Sequence, residues 1–230
     1  MDVIPVIDIK SGEVVHAQGG RRDSYRPIQT PLSPTSAPAD VAAGLLRLAP
    51  FRQLYIADLD AIEGRGANDA AIEAIARAVP GVELWIDNGI AEAEAARAWL
   101  GGCAHCLVIG SESQHGIETI QSLRDERRVL LSLDFRGDAF QGPAGLLDDA
   151  AFWSARVIVM TLARVGAAAG PDTARVASIA ARAQGRAIIG AGGVRNKADL
   201  SALKQAGAAA VLVATALHSG ALTAEDLLHD

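Results

Sequence analysis

The sequence has few cysteines and no long apolar run, and both shortages narrow what the protein can be. Its two cysteines, Cys103 and Cys106, cannot supply the four ligands of a structural zinc site. A redox-active pair with this spacing normally opens a helix, whereas Cys106 opens an apolar strand, so we interpret both as core residues. No apolar run approaches the roughly 20 residues that span a bilayer, and we therefore predict no membrane segment.

Basic charge is also scarce. The 21 lysines and arginines are outnumbered by 27 aspartates and glutamates, which gives a formal net charge of −6. Nucleic-acid binding needs a basic face, so this balance argues against a nucleic-acid partner and favours a small ligand. The five histidines show no metal-ligand spacing, and we predict neither a metal nor another cofactor. The N-terminal run Met1–Pro5 lacks the positive segment of a secretory signal, so we expect a cytoplasmic protein.

The order of apolar runs predicts the fold. At 230 residues the chain is long enough for one sizeable core, and we predict one domain over residues 1–230. Short apolar runs alternate with longer Ala- and Leu-rich runs of helical period, the pattern of a parallel sheet whose strands are connected by helices. The eight predicted strands are Val3–Ile9, Gln53–Asp58, Glu83–Asp87, Cys106–Gly110, Val129–Asp134, Val157–Thr161, Ala187–Ala191 and Ala210–Ala214.

The second half of the chain repeats the first. Ile7–Lys10 resembles Leu133–Arg136, since each carries an aspartate at a strand end and a basic residue two positions later. These two segments are 126 positions apart, whereas three later pairs of matching segments are 103 or 104 positions apart. Repetition of halves favours a closed (β/α)₈ TIM barrel, which is an α/β fold, over an open doubly wound sheet.

The offset places about 22 additional residues between the first two strands, in the stretch from Gly19 to Pro38. This polar, Pro-rich loop of residues 19–38 includes Arg21, Arg22 and Tyr25. Loops of such length are more often functional or mobile than simple connections. We interpret it as an active-site lid, with a passive connection as the alternative.

Barrels of this kind build their active sites at the C-terminal ends of the strands. Strands one and five lie opposite each other, so Asp8 and Asp134 are predicted to face across the mouth. Two carboxyls whose pKa values are pushed apart can act as base and acid, and we interpret this pair as catalytic. The alternative is that each aspartate caps a turn or pairs with its neighbouring base, Lys10 or Arg136.

Other residues near the strand ends complete the predicted site. Asp58 and Thr161 end the matching second and sixth strands and are predicted to orient ligand groups or the catalytic acid. Three basic residues, beside the aspartates or in the lid, are predicted to contact the substrate. They are Lys10, Arg21 and Arg136.

The ends of strands seven and eight predict a phosphate site. Gly192 and Gly193 follow one strand, and Ala214 and Thr215 follow the next, so amide-rich turns lie side by side. Backbone amides and helix N-termini in such turns hold phosphate groups in many barrels.

The matching residues of the first half are Gly89, Gly110 and Ser111, but here the turn also contains Asp87 and Asn88. A carboxylate repels phosphate, so this half of the site is predicted to be altered. Pairing of Asp87 with an arginine of the lid is the alternative, and it would leave a second phosphate site intact.

Taken together, these motifs resemble the HisA/HisF family of half-duplicated, phosphate-binding TIM barrels over almost the whole chain. The likeness implies that Asp8 is the general base, Asp134 the general acid and Thr161 a supporting hydrogen-bonding residue. It also implies, as one alternative, the phosphoribosylformimino-AICAR ribotide isomerase activity of histidine biosynthesis. The segments that carry it are Ile4–Asp8, Leu54–Asp60, Ser132–Asp134, Gly192–Val194 and Val213–Leu217.

The segment Val15–Ala17, followed by Arg21–Arg22 and Tyr25–Pro27 of the lid, more closely resembles an isomerase-related branch found in methanogens and methylotrophs. That likeness implies acid/base chemistry on a phosphorylated small molecule in the biosynthesis of one-carbon carriers, tetrahydromethanopterin and methanofuran. Asp87 and Asn88 would then bind the amino-amidine edge of a pterin-like ligand. A non-catalytic barrel that binds a pterin or folate is a further alternative.

Overall fold

Eight parallel strands form the centre of the structure. The computed structural model describes residues 1–17, 22–166 and 169–228. Each barrel strand pairs with the next along the chain, and the last pairs with the first, so the sheet closes on itself. The predicted (β/α)₈ barrel is therefore confirmed. The strands are β1 (Asp2–Lys10), β2 (Gln53–Asp58), β3 (Glu83–Asp87), β4 (Cys106–Gly110), β5 (Val129–Arg136), β6 (Arg156–Thr161), β7 (Ala187–Ala191) and β8 (Ala210–Val213).

An α-helix follows every barrel strand except β5. Between β5 and β6 the chain forms only a short strand, Ala139–Gln141, and a 3₁₀ turn, Ala150–Phe152. None of the described helices is long and apolar enough to cross a membrane. The helices are α1 (Pro38–Leu48), α2 (Leu59–Ile62), α3 (Asp69–Ala78), α4 (Ala93–Gly102), α5 (Glu118–Leu123), α6 (Thr173–Ala180), α7 (Lys197–Gln205), α8 (Thr215–His218) and α9 (Ala224–Leu228).

Alternation along each strand divides the apolar side chains between two cores. In β1, Ile7 and Ile9 belong to the outer core under the helices, whereas Ile4 and Val6 belong to the core inside the barrel. Successive side chains of a strand point to opposite faces, so the next inward position of β1 is Asp8. The inward column of β1 therefore ends in a carboxyl group at the mouth of the barrel.

After both β1 and β5 the chain folds back as a hairpin. Glu13–Val15 pairs with the end of β1, and Ala139–Gln141 pairs with the end of β5. In each hairpin the aspartate, Asp8 or Asp134, lies opposite the last residue of the returning strand. The repeat found in the sequence is therefore present in the backbone pairing as well.

The additional residues of the first half form part of the first loop, residues 11–37, and also helix α1. Within the described part of this loop, the backbone of Leu32 occupies the space that a Cβ on Gly44 of α1 would need. The connection between β5 and β6 has no helix that matches α1. The longer connection of the first half thus contains the predicted loop, whose described part ends where α1 begins at Pro38, and a helix that has no counterpart between β5 and β6.

Candidate active site

A cavity of about 260 Å³ opens at the C-terminal ends of the strands. Its wall includes Asp8 from β1, Asp87 from β3 and Asp134 from β5, together with Arg136 and the first-loop residue Arg22. Most of the remaining wall consists of apolar side chains and the turns that follow β7 and β8. Three carboxyl groups from different strands therefore meet in one mainly apolar space.

Hydrogen bonds fix the side chain of Asp134. The Ser132 hydroxyl donates to Oδ1 at 2.6 Å, and the backbone N–H of Glu112 donates to Oδ2 at 3.0 Å. The Ser111 hydroxyl accepts the backbone N–H of Asp134 at 2.9 Å. Burial outweighs the hydrogen bonds to the carboxylate and raises the pKa of Asp134 to about 7. This carboxyl is held in one orientation and exchanges its proton near neutral pH.

Asp8 lies in the same cavity and has no hydrogen-bond donor among the described residues. Burial raises the pKa of its carboxyl to about 7; the nearby charge of Arg22 lowers this pKa, and the charge of Asp87 raises it. Asp8 and Asp134 therefore titrate in the same pH range. Their pKa values alone do not distinguish the base from the acid.

Asp87 is a third carboxyl beside Asp134. The Tyr55 hydroxyl donates to its Oδ2 at 2.8 Å, and burial raises the pKa of Asp87 to about 6. A Cβ on Gly110 would lie 3.3 Å from Oδ2 of Asp134 and 3.8 Å from Oδ2 of Asp87. Asp87 on β3 and Asp134 on β5 lie on either side of β4, and the absence of a side chain at Gly110 leaves space between the two carboxyls.

The chain's own carboxylates take up the backbone donors of the first-half turns. The N–H of Gly89 approaches Oδ1 of Asp87 at 3.4 Å, and the N–H of Glu112 donates to Oδ2 of Asp134. Of the predicted phosphate ligands in this half, none of Gly89, Gly110 and Ser111 lines the cavity. The structure thus gives no support to a first-half phosphate site, because internal anions hold its donors and repel another anion.

The matching turns of the second half have a different character. Gly192, Gly193, Ala214 and Thr215 all line the cavity, and no acidic side chain lines it between Ala191 and Ala221. Both glycines have positive φ angles, +98° and +85°, which residues with a side chain rarely adopt. Helix α8 begins at Thr215, so the first amides of the helix have no acceptor within it. These turns can accept an anion that the first-half turns would repel.

The first loop is tied across the mouth by charged groups. Arg22 forms an ion pair with Glu112 at 2.5 Å, and Nζ of Lys10 donates to the backbone carbonyl of Arg22 at 2.8 Å. Lys10 thus anchors the loop and does not line the cavity. The expected ion pair between Asp87 and a lid arginine does not form with Arg22, which only lowers the pKa of Asp87 by its charge. Arg21 lies outside the described residues.

The two remaining predicted ligand contacts differ from each other. Arg136 is exposed, lines the cavity and has no ion-pair partner in the described parts of the chain. It is positioned to meet an anionic ligand. Asn88 does not line the cavity, and its buried Oδ1 has no hydrogen-bond partner among the residues that the structure describes.

Asp58 and Thr161 end their strands but do not line the cavity. Asp58 pairs in register with Ile9, and Thr161 pairs with Phe135. Both partners belong to the outer core, and residues paired in register point to the same face of a sheet. The geometry therefore argues against the predicted ligand contacts of Asp58 and Thr161, because these side chains point towards the helices and away from the cavity.

The inward positions at these strand ends belong to Ala57 and Met160, which pair with Asp8 and Asp134. Both line the cavity, as does Tyr55 two residues before Ala57. Because Asp58 and Thr161 end matching strands of the two halves, the residues before them, Ala57 and Met160, occupy matching positions as well. Strict alternation of inward and outward side chains, counted from the register partners Asp8 and Asp134, was the signal that would have selected these residues.

Asp58 is expected to be a structural residue. Its carboxylate is 1% exposed and accepts hydrogen bonds from the N–H of Ala61 and from the backbone and side chain of Asn68. Asp58→Ala should lower the free energy of unfolding by about 3 kcal/mol, because buried donors lose their acceptor. Urea denaturation measures this change, and ligand binding by the folded variant should stay within about twofold of wild type. If the variant is stable but does not bind ligand, Asp58 is a ligand-binding residue after all.

No three histidine, cysteine, aspartate or glutamate side chains in the described ranges are arranged to hold a metal ion. The chemistry available in the cavity is that of titrating carboxyls, an arginine and polar turns. Such groups can bind an anionic ligand and transfer protons.

Comparison with known proteins finds relatives that match nearly the whole chain. The family model described as histidine biosynthesis protein matches residues 2–223. An isomerase of Haloarcula marismortui, whose name specifies an imidazole-4-carboxamide with two phosphoribosyl groups, is 30% identical over 96% of this chain and 93% of its own. Phosphoribosyl isomerase A of Streptomyces coelicolor is 26% identical over 99% of this chain and 97% of its own.

An uncharacterized protein of Methanocaldococcus jannaschii is 27% identical over 100% of this chain and 98% of its own. The family match and these similarities extend over nearly the full sequence, as the resemblance to HisA/HisF barrels predicted. The chain therefore belongs to the histidine biosynthesis protein family.

Proposed function

We propose that this protein is an enzyme that moves a proton within a small phosphorylated molecule. Asp8 and Asp134 act as the acid/base pair, and the turns at Gly192–Gly193 and Ala214–Thr215 hold the phosphate. The observation that carries the proposal is the meeting of two carboxyls with pKa values of about 7 and these amide-rich turns in one cavity.

The substrate in this proposal carries one phosphate. The first-half end of the cavity contains Asp87 and Glu112 beside Asp134, with Arg22 as the cation paired to Glu112. A second phosphate there would meet carboxylates instead of available amides. This arrangement argues against a substrate with two phosphoribosyl groups, such as the name of the Haloarcula marismortui relative specifies.

Hydrogen exchange into the substrate tests the reaction without knowledge of the product. We would incubate the full chain in D₂O with singly phosphorylated sugars and aminosugars, their phosphate-free forms and doubly phosphorylated analogues. Deuterium should enter a carbon position of a singly phosphorylated compound, as read by mass spectrometry. Equal incorporation with and without the phosphate would contradict the proposal, and so would exchange limited to doubly phosphorylated compounds.

Two experimental outcomes would favour the alternative functions. Growth of a histidine auxotroph on this gene would favour the isomerase of histidine biosynthesis. Tight ligand binding without exchange, unchanged in Asp8→Asn and Asp134→Asn, would favour a non-catalytic binding barrel.

We propose more specifically that the reaction belongs to the synthesis of one-carbon carriers. A pterin-like molecule is then a second candidate substrate beside the phosphorylated compound. The carboxyl of Asp87 lines the cavity next to Tyr55, where it can accept two adjacent N–H groups from a flat heterocycle. Binding of a pterin panel to wild type and to Asp87→Ala tests this candidate by calorimetry. Unchanged pterin affinity in the variant would remove it.

A further inference from the structure

A second, smaller cavity of about 100 Å³ lies under the first loop beside the active site. It shares part of its wall with the main cavity, including Asp8, Ala214 and Thr215. Its other polar residues include two histidines, His16 of the first loop and His218 of α8. The two cavities thus meet at the turn to which the proposed function assigns the phosphate.

The first loop presents His16 to this turn. Its backbone N–H donates to the carbonyl of Arg26 at 2.9 Å, within a bridge that also joins Val15 to Pro27. The ring Nε2 lies 3.4 Å from the hydroxyl oxygen of Thr215, while the side chain remains exposed. A loop residue is therefore fixed by its backbone with its imidazole beside the phosphate turn.

The other basic groups in the cavity wall either pair with a carboxylate already or lie on a distant strand. Arg22 is paired with Glu112, and Arg195 makes two hydrogen bonds of 2.8 Å with Asp199. Arg136 belongs to β5, which is three strands away from β8 around the barrel. No described carboxylate forms an ion pair with the ring of the first-loop histidine. At the turn after β8, that ring is the basic group available to an anion.

His218 plays a different part. Its side chain is 8% exposed, and Nδ1 lies 3.2 Å from the hydroxyl of Thr30. Burial, with a smaller effect from the neighbouring charge of His16, lowers the pKa of His218 to about 4, so it stays neutral at physiological pH. It joins the loop to α8 without adding charge. The titratable groups that share the smaller cavity with His16 are therefore Asp8 and this neutral ring.

We propose that His16 is a substrate-binding residue whose imidazolium ring contacts the phosphate held at Ala214–Thr215. The inference rests on the proposed phosphate site and adds the positive charge that the amide-rich turns lack. A hydrogen bond between a charged donor and phosphate is about twice as strong as a neutral one. The loop that follows Asp8 thus binds the same ligand group as the turns of the second half.

Titration of the full chain with inorganic phosphate at pH 6.5, followed by calorimetry, tests the assignment. His16→Gln retains a hydrogen-bond donor but no charge, and its dissociation constant should rise about tenfold. His16→Lys retains the charge and should stay within about threefold of wild type. His105→Gln is the matched control, because His105 precedes β4 at the other end of the barrel and should bind phosphate like wild type.

The ring signals of His16 in NMR spectra should also shift on addition of phosphate, and those of His105 should not. Wild-type affinity in His16→Gln would overturn the assignment while leaving the phosphate site in place. Equal losses in His16→Gln and His16→Lys would overturn it too, because charge would then have no effect. Failure of the wild-type chain to bind phosphate would overturn both the inference and the proposed function beneath it.

Discussion

Asp8→Asn and Asp134→Asn are each expected to slow deuterium incorporation by about 1,000-fold, because loss of a general acid or base commonly has an effect of this size. In wild type both carboxyls have pKa values of about 7. Since one group must be ionised while the other is protonated, the exchange rate should be highest near pH 7 and fall on both sides. Exchange measured by mass spectrometry from pH 5 to pH 9 provides the profile.

The same variants should be more stable than wild type above neutral pH. Burial raises both pKa values from 3.8, so the native state retains protons that the unfolded chain releases between about pH 4 and pH 7. The wild-type free energy of unfolding therefore falls as the pH rises through this window. At pH 8 each asparagine variant should gain about 2 kcal/mol over wild type, and at pH 4 the gain should disappear.

Asp125→Asn serves as the control, because the Asp125 side chain is 93% exposed. Asp125 also precedes β5, at the end of the barrel opposite the mouth. This variant should leave both the exchange rate and the pH dependence of stability unchanged. If Asp8→Asn or Asp134→Asn keeps the wild-type exchange rate, the catalytic assignment of that residue is wrong. A stability gain that is independent of pH would contradict the explanation by buried carboxyls.

Gly193→Ala is expected to lower the free energy of unfolding by about 3 kcal/mol and to abolish phosphate binding. Two causes add at this position. The φ angle of Gly193 is +85°, and a Cβ there would overlap the backbone carbonyl of Gly170. The turn has to move to accept the methyl group, and its amides then leave the positions that line the cavity. Urea denaturation and titration with inorganic phosphate measure the two effects.

Gly185→Ala separates these causes. Gly185 has a φ of +86°, yet nothing lies within 4 Å of the Cβ that would be added there. It should lose only about 1 kcal/mol, the cost of the backbone conformation, and should bind phosphate like wild type. Equal destabilisation of the two variants would show that the overlap with Gly170 costs nothing.

Strands were the part of the fold that local sequence predicted best. The bounds of β2, β3, β4 and β7 agree with the prediction, because each is a short apolar run that ends at aspartate, glycine or alanine. The closed barrel followed from the repetition of halves. The structure of the segment between β5 and β6, where no helical run was predicted, could not be derived from local sequence, because it depends on tertiary packing. Trp153 is 2% exposed there and donates to the carbonyl of Leu146 at 2.7 Å.

The candidate site was only partly predictable. Asp8, Asp87 and Asp134 reach one cavity because two conditions are met. Each lies near the C-terminal end of its strand, and each occupies a position whose side chain points into the barrel. Asp58 and Thr161 satisfy the first condition but not the second, since a strand end alone does not specify which of its last two side chains faces inwards.

The ion pair between Arg22 and Glu112 joins residues 90 positions apart. Such a contact depends on the path of the first loop, which neither hydrophobic period nor local motif specifies. The same is true of the approach of His16 to Thr215. Long-range partners of polar loop residues therefore had to come from the structure.

The carboxylates that fill the first-half turns have a consequence for ligand orientation. A barrel made of two equivalent halves could accept a ligand in either of two directions, related by rotation about its axis. The carboxylates of the first half break that equivalence, so a ligand with one negatively charged end has one favourable orientation in the cavity. That orientation decides which ligand atom meets Asp8 and which meets Asp134. Asymmetry between the halves thereby distinguishes two aspartates that have nearly the same proton affinity.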